Sequence, residues 1–238
     1  MSVMRSYAVT ALILVFGFTA GAIGLSHLTD AVVVSAEQEL GSSTVIVIDA
    51  GHGGEDGGAV SCTGICESEL NLQIAQRLDC LLGLLGCRTR MLRTEDTSLA
   101  SAEANSYSEK KVTDLKNRAA QINALPDAIV ISIHQNHFPQ EKYRGAQVFY
   151  APDDVSQRLA ERTQECLRLG LDAANQRQIK AADGIYLMEH IRHPGILVEC
   201  GFLSNPQEEQ LLRTVGYQHK IVTSLAVSIV GHLTENLI

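Results

Sequence analysis

The sequence contains no tryptophan, and aromatic residues make up only 5% of its 238 positions. Such a chain offers no evident stacking platform for bases or sugars. It also lacks an excess of basic charge. Its 19 lysines and arginines face 27 acidic residues, a formal net charge of −8, so the basic face of a nucleic-acid binder is not expected. No internal repeat and no low-complexity tract appear. Paired CxxC spacing is absent too, so Cys62, Cys66, Cys80, Cys87, Cys166 and Cys200 do not form a zinc-ribbon framework. Cys62 and Cys66 flank one loop and are a candidate pair; plain thiols are the alternative.

What is present is a globular composition, 45% hydrophobic and 19% charged. One uncharged run stands apart. Residues 7–25 carry no charge, and Arg5 lies just before them. The run is long enough to span a bilayer, and the preceding basic residue suits an inside-facing start. Val34-Ser35-Ala36 also fits a small-residue cleavage site. Both a membrane anchor and a cleaved signal therefore stay open for residues 1–28. A linker over 29–40 then leads to one domain over 41–238.

Within that domain strand and helix patterns alternate. The β-branched run Val45–Ile48 reads as a buried strand. Leu70, Ile74, Leu78, Leu81 and Leu82 recur at helical spacing, with Gly86 as a stop. Further strands are expected at 87–92, 128–134, 145–150 and 195–201. Helices are expected at 108–125, from Pro152 to about Leu169, at 205–212 and at 217–233. This order predicts an α/β fold, a single domain built on a mostly parallel sheet with helices on both faces.

The first strand ends in Asp49 and is followed by Gly51, Gly53, Gly54, Gly57 and Gly58 around His52. A dinucleotide loop would need glycine at Asp56, and a P-loop would need Lys-Ser or Lys-Thr where Ala59 and Val60 stand. A metal site fits better. In open α/β sheets ligands bind at the carboxyl ends of the strands. Three strands there end in His52, His134 and Glu199, and Glu67 opens the first helix directly after the glycine loop. Two imidazoles and a carboxylate match a catalytic zinc site with an open position.

The stretches "IDAGHGGEDGGA", "ESELNLQIAQRL", "SIHQNH" and "LVECGFLSNPQEE" occur in that order. With them the chain resembles the zinc-dependent N-acetylmuramoyl-L-alanine amidases of the amidase-3 type over residues 44–236. "SIHQN" and the short build behind one apolar segment resemble the germination-specific branch found in spore formers. The resemblance implies a twisted sheet and one zinc ion per chain, held by His52, Glu67 and His134, with Glu199 as the catalytic carboxylate. It implies hydrolysis of the amide between N-acetylmuramic acid and L-alanine in peptidoglycan, outside the cytoplasm. In the spore cortex that step precedes muramic-δ-lactam formation, and some members depend on a lipoprotein partner.

Asp49 is a candidate acceptor orienting His52 or its loop. His137 and Arg192 are candidate substrate contacts, although a solvated loop is the simpler reading of each. Ser68 stands where members of the family carry lysine and is expected to be exposed. Two other functions stay open: a zinc carboxypeptidase acting on the peptide tail, and a catalytically silent wall-binding or partner-binding module.

Overall fold

β1 (Val45–Ala50) is buried along its whole length, as its β-branched residues require. It lies inside a six-stranded sheet of order β2-β1-β3-β6-β4-β5. The other strands are β2 (Thr89–Met91), β3 (Ala128–Asn136), β4 (Gln147–Tyr150), β5 (Lys180–Ala181) and β6 (Gly195–Phe202). The helices are α1 (Glu67–Leu84), α2 (Tyr107–Asn123), α3 (Asp154–Leu171), α4 (Tyr186–His190), α5 (Pro206–Leu212) and α6 (Val215–Glu235). This computed structural model describes residues 43–235. The apolar segment expected within 1–28 and the linker over 29–40 lie outside the described residues. Among the described residues no helix is long and apolar enough to cross a membrane.

β2, β1, β3 and β6 run parallel. β4 pairs antiparallel with β6, and β5 follows β4 in parallel. The parallel part conforms to the alternating pattern; the reversed edge is a feature that pattern does not specify. The short β5 and α4 were also not expected. A two-residue strand and a five-residue helix are too brief to show a period.

α1, α3 and α6 cover one face. Leu70, Ile74, Leu78 and Leu82 of α1 are fully or almost fully buried there, at i, i+4 spacing. Each such side chain contributes about 1.5–3 kcal/mol. α2 and α4 cover the other face, where Ala119, Ile122, Leu187 and Met188 pack on Val45, Val47, Val130 and Leu197. α2 begins at a capping box, with the Ser106 side chain accepting from the Glu109 amide and the Glu109 carboxylate accepting from Ser106 N. α3 starts at Asp154 rather than Pro152, because the Asp153 side chain caps it by accepting from Ser156 N at 2.8 Å. All six cysteines are free thiols, Cys62 and Cys66 included.

Candidate metal centre

The carboxyl ends of β1 and β3 deliver His52 and His134 to one edge of the sheet. β6 brings Glu199, whose Cα is the register partner of His134. Side chains opposite one another on neighbouring strands share a face, so Glu199 stands beside His134.

Glu67 reaches the same edge through a backbone exchange. Cys66 offers no side-chain cap to α1. Instead the first helical amides, Glu67 N and Ser68 N, donate to Ala59 O at 2.8 Å and Gly57 O at 3.0 Å. In return Ala59 N donates to Glu67 Oε2 at 2.9 Å. The glycine loop thus satisfies the orphan amides of the helix start and fixes the carboxylate within it.

Ligand atoms of His52, Glu67 and His134 all lie within 4.8 Å of one another. Glu67 Oε1 is 2.9 Å from His134 Nδ1 and accepts from Gln135 N at 3.0 Å and Asn71 Nδ2 at 3.2 Å. Glu67 Oε2 is 3.4 Å from His52 Nε2. His52 Nδ1 is 2.9 Å from Asp56 Oδ2, which leaves Nε2 to face the cluster. A carboxylate behind a metal-facing imidazole fixes its tautomer and raises its basicity. The glycines are needed for space. A Cβ on Gly51 would stand 2.2 Å from His134 Cε1, and one on Gly58 would stand 2.6 Å from Glu67 Oε2. The donor set, the aligned second nitrogen of His52 and the cradle of glycines fit a catalytic zinc ion.

Electrostatics agree with a cation at this place. Burial opposes ionisation of Glu67, but hydrogen bonds with His134 and His52 outweigh it and hold its pKa well below the ordinary carboxylate range. Burial likewise opposes the charged form of His52, yet Asp56 and Glu67 raise its pKa to about 9. The carboxylates of Asp56 and Glu67 therefore favour positive charge at this place. Glu199 behaves oppositely. Burial raises it to about 7, with Glu67 pushing the same way and the imidazoles opposing. Its Oε2 is buried and accepts no hydrogen bond.

Two buried arginines that sequence reasoning missed hold the loop in place. Arg93 donates to Ala50 O at 2.8 Å, Gly51 O at 3.1 Å and Ser68 O at 2.8 Å. Arg118 donates to Ala50 O at 3.0 Å and His52 O at 2.7 Å, and pairs with Asp49 and Asp114. His52 needs this support, because its φ of 62° lies in the left-handed region, which costs a non-glycine residue energy. Asp49 does not touch the His52 side chain. It accepts from Arg118 and from Ser132 Oγ at 2.6 Å, and acts on the loop through Arg118. Ser68 is buried rather than exposed, since its turn rests on Arg93.

A cleft of about 270 Å³ opens beside the cluster, lined by His52, His134, Asp56, Lys111 and Tyr186 among others. His137 is exposed in the loop just beyond β3, on the edge that carries the His52, Glu67 and His134 cluster. Arg192 is exposed ahead of β6, where its amide donates to Asn123 Oδ1 at 2.7 Å. That is the amino-terminal edge of the sheet, so the structure does not bring Arg192 to the cluster. Phe138, Tyr143 and Phe202 form a continuous ring contact; a low aromatic count therefore does not exclude a ring platform.

The N-acetylmuramoyl-L-alanine amidase family matches residues 46–230. The germination-specific N-acetylmuramoyl-L-alanine amidase of Bacillus subtilis (strain 168) is 39% identical over 195 residues, covering 82% of this chain and 81% of that protein. Among solved structures, the CwlD amidase from Clostridioides difficile in complex with the GerS lipoprotein superposes with a TM-score of 0.78 and 37% identity, over 81% of this chain and 100% of that one. An N-acetylmuramoyl-L-alanine amidase from Clostridium difficile 630 gives 0.70 and 28%, over 80% and 96%. With this match spanning the sheet and all four polar residues at its edge, the chain belongs to the amidase-3 family of N-acetylmuramoyl-L-alanine amidases.

Proposed function

We propose that this chain hydrolyses the amide between the lactyl group of N-acetylmuramic acid and L-alanine in peptidoglycan, using one zinc ion held by His52, Glu67 and His134. The observation that carries the proposal is the convergence of those three side chains within 4.8 Å, with Glu199 in register beside His134. Bound there, zinc supplies Lewis acidity, lowering the pKa of water toward about 7 and polarising the amide carbonyl. Glu199 takes the proton of the attacking water and passes it to the departing L-alanine nitrogen. Its buried, unbonded oxygen, and the burial that raises its pKa to about 7 in the metal-free fold, suit a group that must both accept and release a proton. Asp56 holds the His52 ring, and Arg93 and Arg118 hold the backbone on either side of it.

The likeness to a germination-specific amidase supports action on spore cortex, ahead of muramic-δ-lactam formation. It also supports a site of action outside the cytoplasm, with residues 1–28 as signal or anchor and 41–238 as the catalytic domain. The related amidase solved with a lipoprotein supports a partner of that kind for this chain. Mass spectrometry of muropeptides after digestion tests the reaction. Free L-alanine amino termini on released stem peptides are expected. Loss of the terminal D-residue instead would identify a carboxypeptidase, and unaltered muropeptides with zinc bound would identify a silent module.

A further inference from the structure

Beyond the metal edge the chain carries a second concavity, outside the proposed catalytic cluster. It has a volume of about 340 Å³ and is lined by Lys142, Tyr143, Arg144, Asp172, Gln176 and Arg177, among others. Lys142, Arg144 and Arg177 line it with one carboxylate, Asp172, although the chain as a whole carries a net charge of −8. Glu208 meets Arg177 and Arg144 from the buried side, and Glu141 adds one acid to the adjoining loop. Arg144 pairs with Asp172 only at 3.8 Å, and its side chain is 65% exposed. A surface ion pair of that kind is worth little and yields readily to another anion.

Aromatic rings border the cations. Phe138 and Tyr143 are 43% and 37% exposed and meet edge to face, with centroids 4.8 Å apart. Tyr143 in turn stacks on the buried Phe202 at 6.5 Å, and the Arg177 guanidinium lies 4.4 Å above the Phe202 ring. Lys142 Nζ is 5.4 Å from the Tyr143 ring. The loop bearing these groups is tied down at three points. Phe138 N donates to Ser204 Oγ at 3.0 Å, Asn205 Nδ2 to Glu141 O at 2.7 Å, and Gly145 N to the buried Glu208 Oε1 at 2.9 Å. A fixed loop presents its rings without a large ordering cost on binding.

The patch is continuous with the proposed catalytic edge. The loop leaves β3 at Asn136, two residues beyond His134, and Phe202 lies three residues beyond Glu199, about 10 Å along the strand. Arg177 also donates to Gln147 Oε1 at 3.0 Å, and Gln147 is the register partner of Glu199 on β4.

We propose that loop 137–145, with Arg177, is a subsite for the peptidoglycan polymer beyond the scissile amide. A sugar ring lies on Phe138 and Tyr143, and a stem-peptide carboxylate meets Arg144 and Lys142. The chemistry is complementary on both counts. Pyranose rings present an apolar C–H face to an aromatic ring, and free carboxylates along the stem peptides match lysine and arginine. The proposal rests on the amidase reading above. Binding energy from this remote contact would favour polymer over a minimal substrate.

The test uses the full chain, zinc-loaded, as wild type, as the exposed-charge variant Lys142→Glu/Arg144→Glu, and as Phe138→Ser. Each is measured for cosedimentation with purified peptidoglycan and for kcat/KM on that polymer and on N-acetylmuramoyl-L-alanyl-D-isoglutamine. Both variants should lose about tenfold in polymer binding and turnover, the loss expected from one ring or charge contact. Turnover of the small substrate should stay within about twofold of wild type by the same reasoning, since it does not reach the patch. Undiminished cosedimentation overturns the proposal and leaves the patch to a protein partner. Equal losses on both substrates also overturn it. A wild type that sediments with peptidoglycan yet cleaves neither substrate counts against the amidase reading alone, because sedimentation of the variants still decides the subsite.

Discussion

Arg118 Nη2 donates to the carbonyl of His52 across 2.7 Å, while Nη1 of the same guanidinium pairs with the buried Asp49. One side chain thus joins the interior of β1 to the loop that presents the His52 imidazole, the proposed zinc ligand. Its rigid fork reaches the carboxylates of Asp49 and Asp114 and the carbonyls of Ala50 and His52 at once.

The pairing predicts unequal costs for its two partners. Arg118→Met strands Asp49 with only Ser132 as donor. Breaking a buried pair by removing one partner costs about 3–5 kcal/mol. Asp49→Asn should cost less, because Arg118 keeps Asp114 at 2.6 Å. Urea denaturation of the metal-free protein should show the larger shift in midpoint for Arg118→Met. Equal shifts would mean that the Asp49 pair is not what anchors the loop.

Glycine substitutions separate space from conformation. Gly51→Ala would drive a methyl to 2.2 Å from His134 Cε1 and should expel zinc. Gly58→Ala meets Glu67 Oε2 at 2.6 Å and also sits at φ 69°, so it should do the same. Gly83→Ala is the contrast. It lies within α1 with nothing within 4 Å of the added carbon, and alanine there should stabilise by about 0.5–1 kcal/mol. Zinc content and thermal midpoint of the three variants check this; retained zinc in Gly51→Ala would show that the ring can move aside.

The parts of this site that sequence exposes are those carried by short-range pattern. Val45–Ile48 and Ala128–Ile131 are apolar runs long enough to mark strands, so His52 and His134 are visible as polar residues just beyond them. Glu67 is visible because it opens a periodic helix. Arg93 and Arg118 are not. Arg118 falls on the amphipathic helix α2 among Lys110, Lys111, Asp114 and Lys116, and nothing local distinguishes a buried arginine from a solvated one. Its carboxylate and carbonyl partners come from β1 and the loop after it, so only the fold reveals it. Arg192 fails for a related reason: closeness to Glu199 in sequence becomes distance along β6, since the strand separates its two ends. The ring contact of Tyr143 with Phe202 joins segments far apart in the chain, and no count of aromatics could predict it. The reversed β4 is likewise hidden, because an antiparallel edge strand has the same apolar alternation as a parallel one.

Zinc affinity should depend on pH in a defined window. A ligand nitrogen must be unprotonated to bind, and in the metal-free fold His52 titrates at about 9. Below that value each zinc must displace a proton, so affinity should rise roughly tenfold per pH unit up to about pH 9 and level off above it. The same linkage acts on stability. A histidine raised above its ordinary 6.5 stabilises the metal-free fold fully below pH 6.5, and that contribution is lost as pH rises through about 9. Calorimetry in buffers of different ionisation enthalpy should register more than one proton released per zinc at pH 7.5, one from His52 and the remainder from zinc-bound water. Release of less than one proton would show that Asp56 does not keep His52 protonated.

Glu67 and Glu199 differ in what surrounds them, and the difference separates their proposed roles. Glu67 is held by His134, Asn71 and two backbone amides, Ala59 N and Gln135 N. Glu199 has a buried oxygen with no partner and a pKa raised to about 7. Glu67→Gln replaces a charged ligand by a neutral amide and should lose zinc. Glu199→Gln should keep zinc, yet turnover should fall by about 10²–10⁴-fold, the contribution of a general base. Stability adds an independent sign. A carboxyl whose pKa is raised on folding prefers its proton in the folded state, so ionisation destabilises the fold progressively as pH rises above about 4.5. Replacing Glu199 by neutral glutamine should therefore raise the thermal midpoint of the metal-free protein at pH 8, by the equivalent of about 1–3 kcal/mol. Glu67→Gln should lower it, because that carboxylate is stabilised where it stands. The decisive measurement is zinc content, stem-peptide release and melting temperature for both variants side by side. A Glu199→Gln protein that melts higher, holds zinc and does not turn over would mark the residue as kept for proton transfer at the expense of stability. One that melts lower would make Glu199 a structural group, and one that keeps full turnover would remove it from the reaction.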